Sequence, residues 1–122
     1  MKESPIFVKS FETLVWILEH TRKFPKHQRF VLAKRIEDAA LTFQDQIVFA
    51  AKSDDPLPAL RRADVELERL KLYNRLSLKL KLCSFPQYEF LARALDEVGR
   101  LLGGWMRARR ARAAGRDSPA TP

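Results

Sequence analysis

The sequence predicts an all-α protein, an antiparallel up-down-up-down four-helix bundle. Three observations carry that reading. Apolar residues recur at helical spacing along most of the chain, and no segment alternates with the period of two that a half-buried strand needs. Proline and polar turn residues interrupt the pattern near Pro25, Pro56 and Pro86, which leaves four segments joined by short connections, the arrangement that favours antiparallel neighbours. The 122 residues suit one domain, and 46% of them are hydrophobic, enough to build a core. The bundle is expected over residues 1–108. Residues 109–122, composed of Arg, Ala, Gly, Ser, Asp, Thr and Pro with no apolar stripe, are expected to be a basic, disordered tail.

The first helix is expected from about Ile6 to Arg22, with Phe7, Phe11, Leu14, Val15 and Leu18 as its apolar stripe. Phe24-Pro25 ends it, because a residue preceding proline is pushed out of helical geometry, and Pro25 suits the first position of the next helix. That second helix is expected from Pro25 to Lys52, with a stripe of Phe30, Leu32, Ala33, Ile36, Ala39, Ala40, Phe43, Ile47, Ala50 and Ala51. Ser53-Asp54-Asp55-Pro56 supplies a stop, a capping carboxylate and a proline at the next start.

The third helix, from about Leu57 to Cys83, carries two apolar stripes. Leu60, Leu67, Leu70 and Leu78 form one; Val65, Leu72, Leu76 and Leu80, with Tyr73 beside them, form the other. A bundle helix facing water needs one stripe, so the second points to another subunit. Ser84-Phe85-Pro86-Gln87 matches a capping box and opens the fourth helix. Phe90, Leu91, Ala94, Leu95, Val98, Leu101, Leu102, Trp105 and Met106 are expected inside it, with Glu89–Arg93 and Asp96–Arg100 as pairs one turn apart. Gly99 and Gly103, also one turn apart, read as a face of close approach.

The charge is strongly basic. There are 23 Lys and Arg against 15 Asp and Glu, a formal +8. The expected tail holds Arg109, Arg110, Arg112 and Arg116 against Asp117, so most of the excess belongs to the bundle itself. Such a surface meets phosphates or an acidic partner. The candidate contacts fall in three groups. Arg22, Lys23, Lys26 and Arg29, with His27, surround the first turn. Lys71, Arg75 and Lys79 are spaced four residues apart along the third helix, with Arg61 on the same side. Arg100, Arg107, Arg109 and Arg110, followed by Arg112, continue off the fourth. Long, flexible cations of this kind suit salt-sensitive phosphate contacts rather than base readout.

Catalytic signatures are missing from the sequence. It holds no Gly-rich phosphate loop, no nucleophile elbow and no His-Glu-x-x-His. His20 and His27 lack a partner at metal-ligand spacing and read as surface histidines, while Cys83 reads as a small packing residue at the end of the third helix. The expectation is a non-enzyme with no catalytic residues, no metal and no cofactor. A lone cysteine excludes an internal disulfide. No apolar run is long enough to span a membrane, and Met1-Lys2-Glu3-Ser4-Pro5 has no signal-peptide character, so a cytoplasmic location and no membrane partner are expected.

Two stretches carry a resemblance. Thr21-Arg22-Lys23-Phe24-Pro25-Lys26-His27-Gln28-Arg29-Phe30, followed by Leu32-Ala33 and Arg35-Ile36, resembles the junction between the first two helices of the Avd proteins, the accessory variability determinants of diversity-generating retroelements. Glu97-Val98-Gly99-Arg100-Leu101-Leu102-Gly103-Gly104-Trp105 resembles the same family's fourth-helix signature. The similarity runs over about residues 6–108. Either motif alone also fits the related four-helix bundle proteins encoded by ribosomal RNA intervening sequences, whose role would be structural or nucleic-acid binding.

The resemblance to Avd implies a non-catalytic bundle protein that assembles as a barrel-shaped homopentamer. It further implies binding to the retroelement's reverse transcriptase and to template-repeat RNA or other nucleic acid, in support of mutagenic cDNA synthesis. Five copies at +8 would carry a formal +40.

Overall fold

In the computed structural model, residues 4–117 are described, with side chains through residue 115. Four α-helices account for most of them: α1 (Pro5–Thr21), α2 (Lys34–Ala51), α3 (Leu57–Lys79) and α4 (Phe85–Asp117). No strand occurs among the described residues. Each helix packs against its neighbours in sequence and α4 closes back on α1, so α1 and α3 occupy opposite corners of a four-helix bundle. The core runs down the axis through Ile17, Ile47, Leu60, Leu67, Leu95, Val98 and Leu102, all sealed from water.

The connections follow from local chemistry, and they differ from the sequence expectation in four places. The chain does not enter α2 directly at Pro25. Lys26–Gln28 makes a 3₁₀ turn and Arg29–Ala33 a π-helical turn before regular helix begins at Lys34. Phe24 is buried and plugs this end of the core, while Phe30 is 82% exposed and Val31 is exposed beside it. Phe30 and Leu32 do not share the stripe expected of them, since residues two apart on a helix point to opposite sides. Leu32 takes the inward position, and Ala51 at the far end is exposed.

Helix α3 ends at Lys79, four residues short of Cys83. Lys81 adopts a left-handed conformation, φ 61°. The Leu82 N–H donates to the Ser77 carbonyl at 2.8 Å and the Lys81 N–H to that of Leu78 at 3.0 Å. This is a Schellman closure with lysine where glycine is usual, so the helix stops without the residue that announces a stop. The capping box at Ser84 forms as expected: the Ser84 N–H donates to Gln87 Oε1 at 2.9 Å, and the Gln87 N–H to Ser84 Oγ at 3.2 Å. The expected Asp54–Asp55 cap does not form, because Pro56 itself caps α3 with no side-chain bond.

Helix α4 passes the expected boundary at residue 108 and continues to Asp117. Alanine and arginine are strong helix formers, and no proline intervenes before Pro119. Residues 118–122 of the expected tail lie outside the described residues. Among the described residues, no helix is long and apolar enough to cross a membrane.

The largest departure concerns α1. Its buried face is Ile6, Ser10, Thr13, Ile17, His20 and Thr21, whereas Phe11 (59% exposed) and Val15, with Val8 beside them, point outward and Phe7, Leu14 and Leu18 lie half-buried on the flank. Hydroxyls can face the core here because the helix satisfies them. Thr13 Oγ1 donates to the Lys9 carbonyl at 2.7 Å, and Ser10 Oγ to that of Phe7 at 3.3 Å.

Candidate nucleic-acid and assembly surfaces

Two kinds of surface stand out: cations concentrated towards the ends of the bundle, and apolar stripes along its sides. Along the helices, several cations are paired with carboxylates. Lys9 meets Glu97 at 3.3 Å, Lys34 meets Asp38 at 3.0 Å, Arg69 meets Glu66 at 2.6 Å and Arg93 meets Glu89 at 3.3 Å. Lys71 joins this set. It lies 3.6 Å from Glu68 and 3.7 Å from Asp96, on the seam between α3 and α4. Asp96 therefore pairs with Lys71 and not with Arg100, which remains exposed.

At the end where α1 turns into α2, Arg22, Lys23, Lys26 and Arg29 are all exposed or nearly so, as is His27, and no carboxylate among the described residues lies within ion-pair distance of any of them. The α3–α4 turn lies at the same end, because the helices alternate in direction. There Arg75, Lys79 and Lys81 rim a surface groove whose remaining walls are Leu72, Leu76, Leu78 and Tyr88. The row Lys71–Arg75–Lys79 is thus split: Arg75 and Lys79 share a groove with no carboxylate in its walls, and Lys71 belongs to a structural seam. Lys81 and Tyr88 enter this groove without any periodic signal in the sequence, since both sit at or beyond a helix end.

The opposite end holds Arg61 on the first turns of α3 and Arg107, Arg109 and Arg110 on α4. Arg109 Nη2 donates to the Asp54 carbonyl at 3.1 Å, tying α4 to the α2–α3 connection. Arg107 folds back along its own helix towards Gly103, where a Cβ would lie 3.2 Å from its guanidinium. Gly103 is therefore no interhelical contact. Gly99 is one: a Cβ there would meet Leu67 Cδ2 at 3.3 Å, so the glycine sets the spacing between α4 and α3.

The apolar stripes lie on opposite corners. On α3, Leu60, Leu67 and Leu70 of the expected inner stripe are buried, and Val65, Leu72 and Leu76 of the outer one are exposed, as is Leu80 just past the helix end. Leu78, expected inside, is half-buried and lines the outer groove, while Tyr73, expected beside the outer stripe, packs partly buried against the core. On α1, the outward stripe is Val8, Phe11 and Val15, with Leu41 and Val48 exposed on the neighbouring α2. Singly scattered apolar residues on a surface are ordinary, whereas here the exposed ones form stripes at helical spacing on two sides of the bundle.

His20 is not the surface histidine expected. It is 8% exposed, stacked on Trp16 with ring centroids 4.6 Å apart and meeting the edge of Phe24 at 5.3 Å. Burial, reinforced by the nearby Lys23 ammonium, holds its imidazole below the usual histidine range. Trp16 in turn contacts Phe90 of α4 at 5.0 Å, so this aromatic group joins α1 to α4. Cys83 is half-buried, and burial pushes its thiol up. No cluster of three or more His, Cys, Asp or Glu able to hold a metal occurs among the described residues.

The fold and these surfaces define a class, the basic four-helix bundle with outward apolar faces. The model for bAvd-like proteins matches residues 6–109, and the chain belongs to the bAvd-like family. A 1.70 Å crystal structure of a protein of unknown function from the S23 ribosomal protein family of Bacteroides thetaiotaomicron is similar, with a TM-score of 0.77. It shares 21% identity, over 83% of this chain and 97% of that one, which speaks for the fold alone. No curated protein matches the chain.

Proposed function

We propose that this chain is a non-catalytic accessory subunit of a diversity-generating retroelement, working in the cytoplasm with the retroelement's reverse transcriptase. Membership of the bAvd-like family over residues 6–109 is the observation that carries the reading. In this role its basic ends bind the template-repeat RNA and the polymerase, and its apolar stripes join five copies into a ring. The cations at Arg22, Lys23, Lys26, Arg29, Arg75 and Lys79 support the nucleic-acid half, because charges not committed to carboxylates are free for phosphates. Stripes on opposite corners support the ring, since two different faces meeting head-to-tail generate a cyclic assembly when the rotation closes.

The test is cDNA synthesis on the template RNA by the reverse transcriptase encoded beside this gene, with and without the protein. Synthesis that depends on the protein, together with its co-purification with the polymerase, is the expected result. Equal synthesis without it overturns the accessory role. A gene lying inside a ribosomal RNA operon, with no reverse transcriptase nearby, would point to the intervening-sequence type of bundle protein instead.

A further inference from the structure

We propose that the end of α4 is a preformed cationic arm that seats on the phosphate walls of a duplex polynucleotide. This deepens the accessory reading and rests on its nucleic-acid half.

The last residue of α4 buried in the core is Met106, yet the helix runs to Asp117, roughly 16 Å further at helical rise. Arg109 clamps its base to the α2–α3 connection through the Asp54 carbonyl, so the arm has a fixed direction. Beyond that clamp, Arg110, Ala111, Arg112, Ala114 and Gly115 are exposed. The stretch from Arg107 to Ala114 reads Arg-Ala-Arg-Arg-Ala-Arg-Ala-Ala, four arginines with alanines between them. At about 100° per residue, Arg107 and Arg110 share one side of the helix and Arg112 points to the other, and no carboxylate among the described residues pairs with any of them. Most of this arm lies beyond the residues that match the family, so it belongs to this chain and not to the family core.

The chemistry selects the ligand. A slim helix with cations on two sides is matched by phosphates on both walls of a groove, and bidentate guanidinium contacts suit phosphate oxygens. Single strands are gripped by stacking their bases on aromatic rings, and residues 107–115 contain none. An α-helix is about 10–12 Å across, which fits the DNA major groove of about 12 Å and not the deep, narrow one of duplex RNA. On duplex RNA the arm would follow the backbone from outside.

The experiment uses the full chain and three probes of one sequence: duplex DNA, duplex RNA and single-stranded RNA. Affinity is measured as a function of salt for the unaltered protein, for Arg107→Gln with Arg110→Gln and Arg112→Gln, and for the matching triple Arg→Lys variant. Far-UV circular dichroism checks that all three hold the same helix content. The salt slope on duplex probes should fall by roughly 2–3 in the Gln variant, at about 0.9 for each phosphate no longer neutralised, and be retained in the Lys variant. Single-stranded RNA should show the smallest change. A Gln variant whose slope on the duplexes equals that of the unaltered protein overturns the arm while leaving the accessory reading intact. Loss of polymerase co-purification with that slope unchanged also overturns it, and assigns the arm to an acidic protein. A full chain that binds none of the probes overturns the arm and the nucleic-acid half together, and polymerase co-purification then reports on the other half.

Discussion

Helices α1 and α3 stand at opposite corners of the bundle and both turn apolar side chains to water, but they reach that state differently. On α3 the inner and outer faces are built from the same residue types: Leu60, Leu67 and Leu70 inside, Val65, Leu72 and Leu76 outside. On α1, Phe11 and Val15 are outside, and Ser10, Thr13 and Thr21 are inside alongside Ile6 and Ile17. Folding alone accounts for an inner leucine. It gives no reason to expose a phenylalanine, and the proposed assembly, in which a second copy covers the outer face, would give one.

The sharpest way to break the comparison is to remove the same side chain from the two faces of α3. Leu67→Ala should destabilise by about 2–5 kcal/mol, because it removes buried surface and leaves a cavity. In a domain of this size that corresponds to a fall of roughly 10 °C or more in thermal denaturation. Leu72→Ala, in dilute conditions where the assembly is dissociated, should shift it by no more than a few degrees. Equal effects would mean that the outer stripe serves the subunit's own fold.

The inner face of α1 offers the next test. Thr21 Oγ1 donates to Glu37 Oε2 at 2.6 Å, a bond between α1 and α2. Thr21→Val keeps the shape but leaves the carboxylate without its donor, which should cost about 1–2 kcal/mol in urea unfolding. Unchanged stability would show that water replaces the hydroxyl.

At the end of α3, Lys81→Gly should stabilise by about 0.5–1 kcal/mol, since glycine accepts the left-handed backbone without the steric penalty that lysine carries. A destabilised variant would mean that the Lys81 side chain contributes to the groove it rims.

The smallest effect is expected from pH. The folded state holds the His20 imidazole below its unfolded value, so the unfolded chain takes up a proton first as pH falls. Stability should be full above the unfolded value near 6.5 and decline as pH drops from there through the lowered folded value. His20→Gln should flatten that part of the melting-temperature profile. A profile unchanged by the substitution would assign the acid sensitivity to carboxylates.

Periodicity made the four helices, the capping box at Ser84 and the double stripe of α3 legible, because each rests on local chemistry with a fixed spacing. The orientation of α1 was not legible. A stripe of Phe7, Phe11, Leu14, Val15 and Leu18 satisfies helical spacing whether it faces a core or a neighbour, and only packing against α2 and α4 decides. The π turn at Arg29–Ala33 and the lysine-for-glycine closure at Lys81 leave no compositional mark. Among the basic residues, spacing grouped Lys71 with Arg75 and Lys79. Spacing along one helix is blind to Asp96 arriving from another, and that ion pair assigns Lys71 to the seam. His20 escaped for the same reason: Trp16 is one turn away in sequence, but Phe24, which closes over the ring, belongs to the connection after the helix.

The claim that the outward stripes of α1 and α3 are subunit contacts is tested most directly by solution mass, measured by light scattering in moderate salt. The account predicts a mass near five times the 14.1 kDa of one chain. It also predicts that Phe11→Asp, or Leu72→Asp with Leu76→Asp, reduces that mass while helix content is kept. A monomer in the unaltered protein, or an assembly indifferent to both variants, would contradict it.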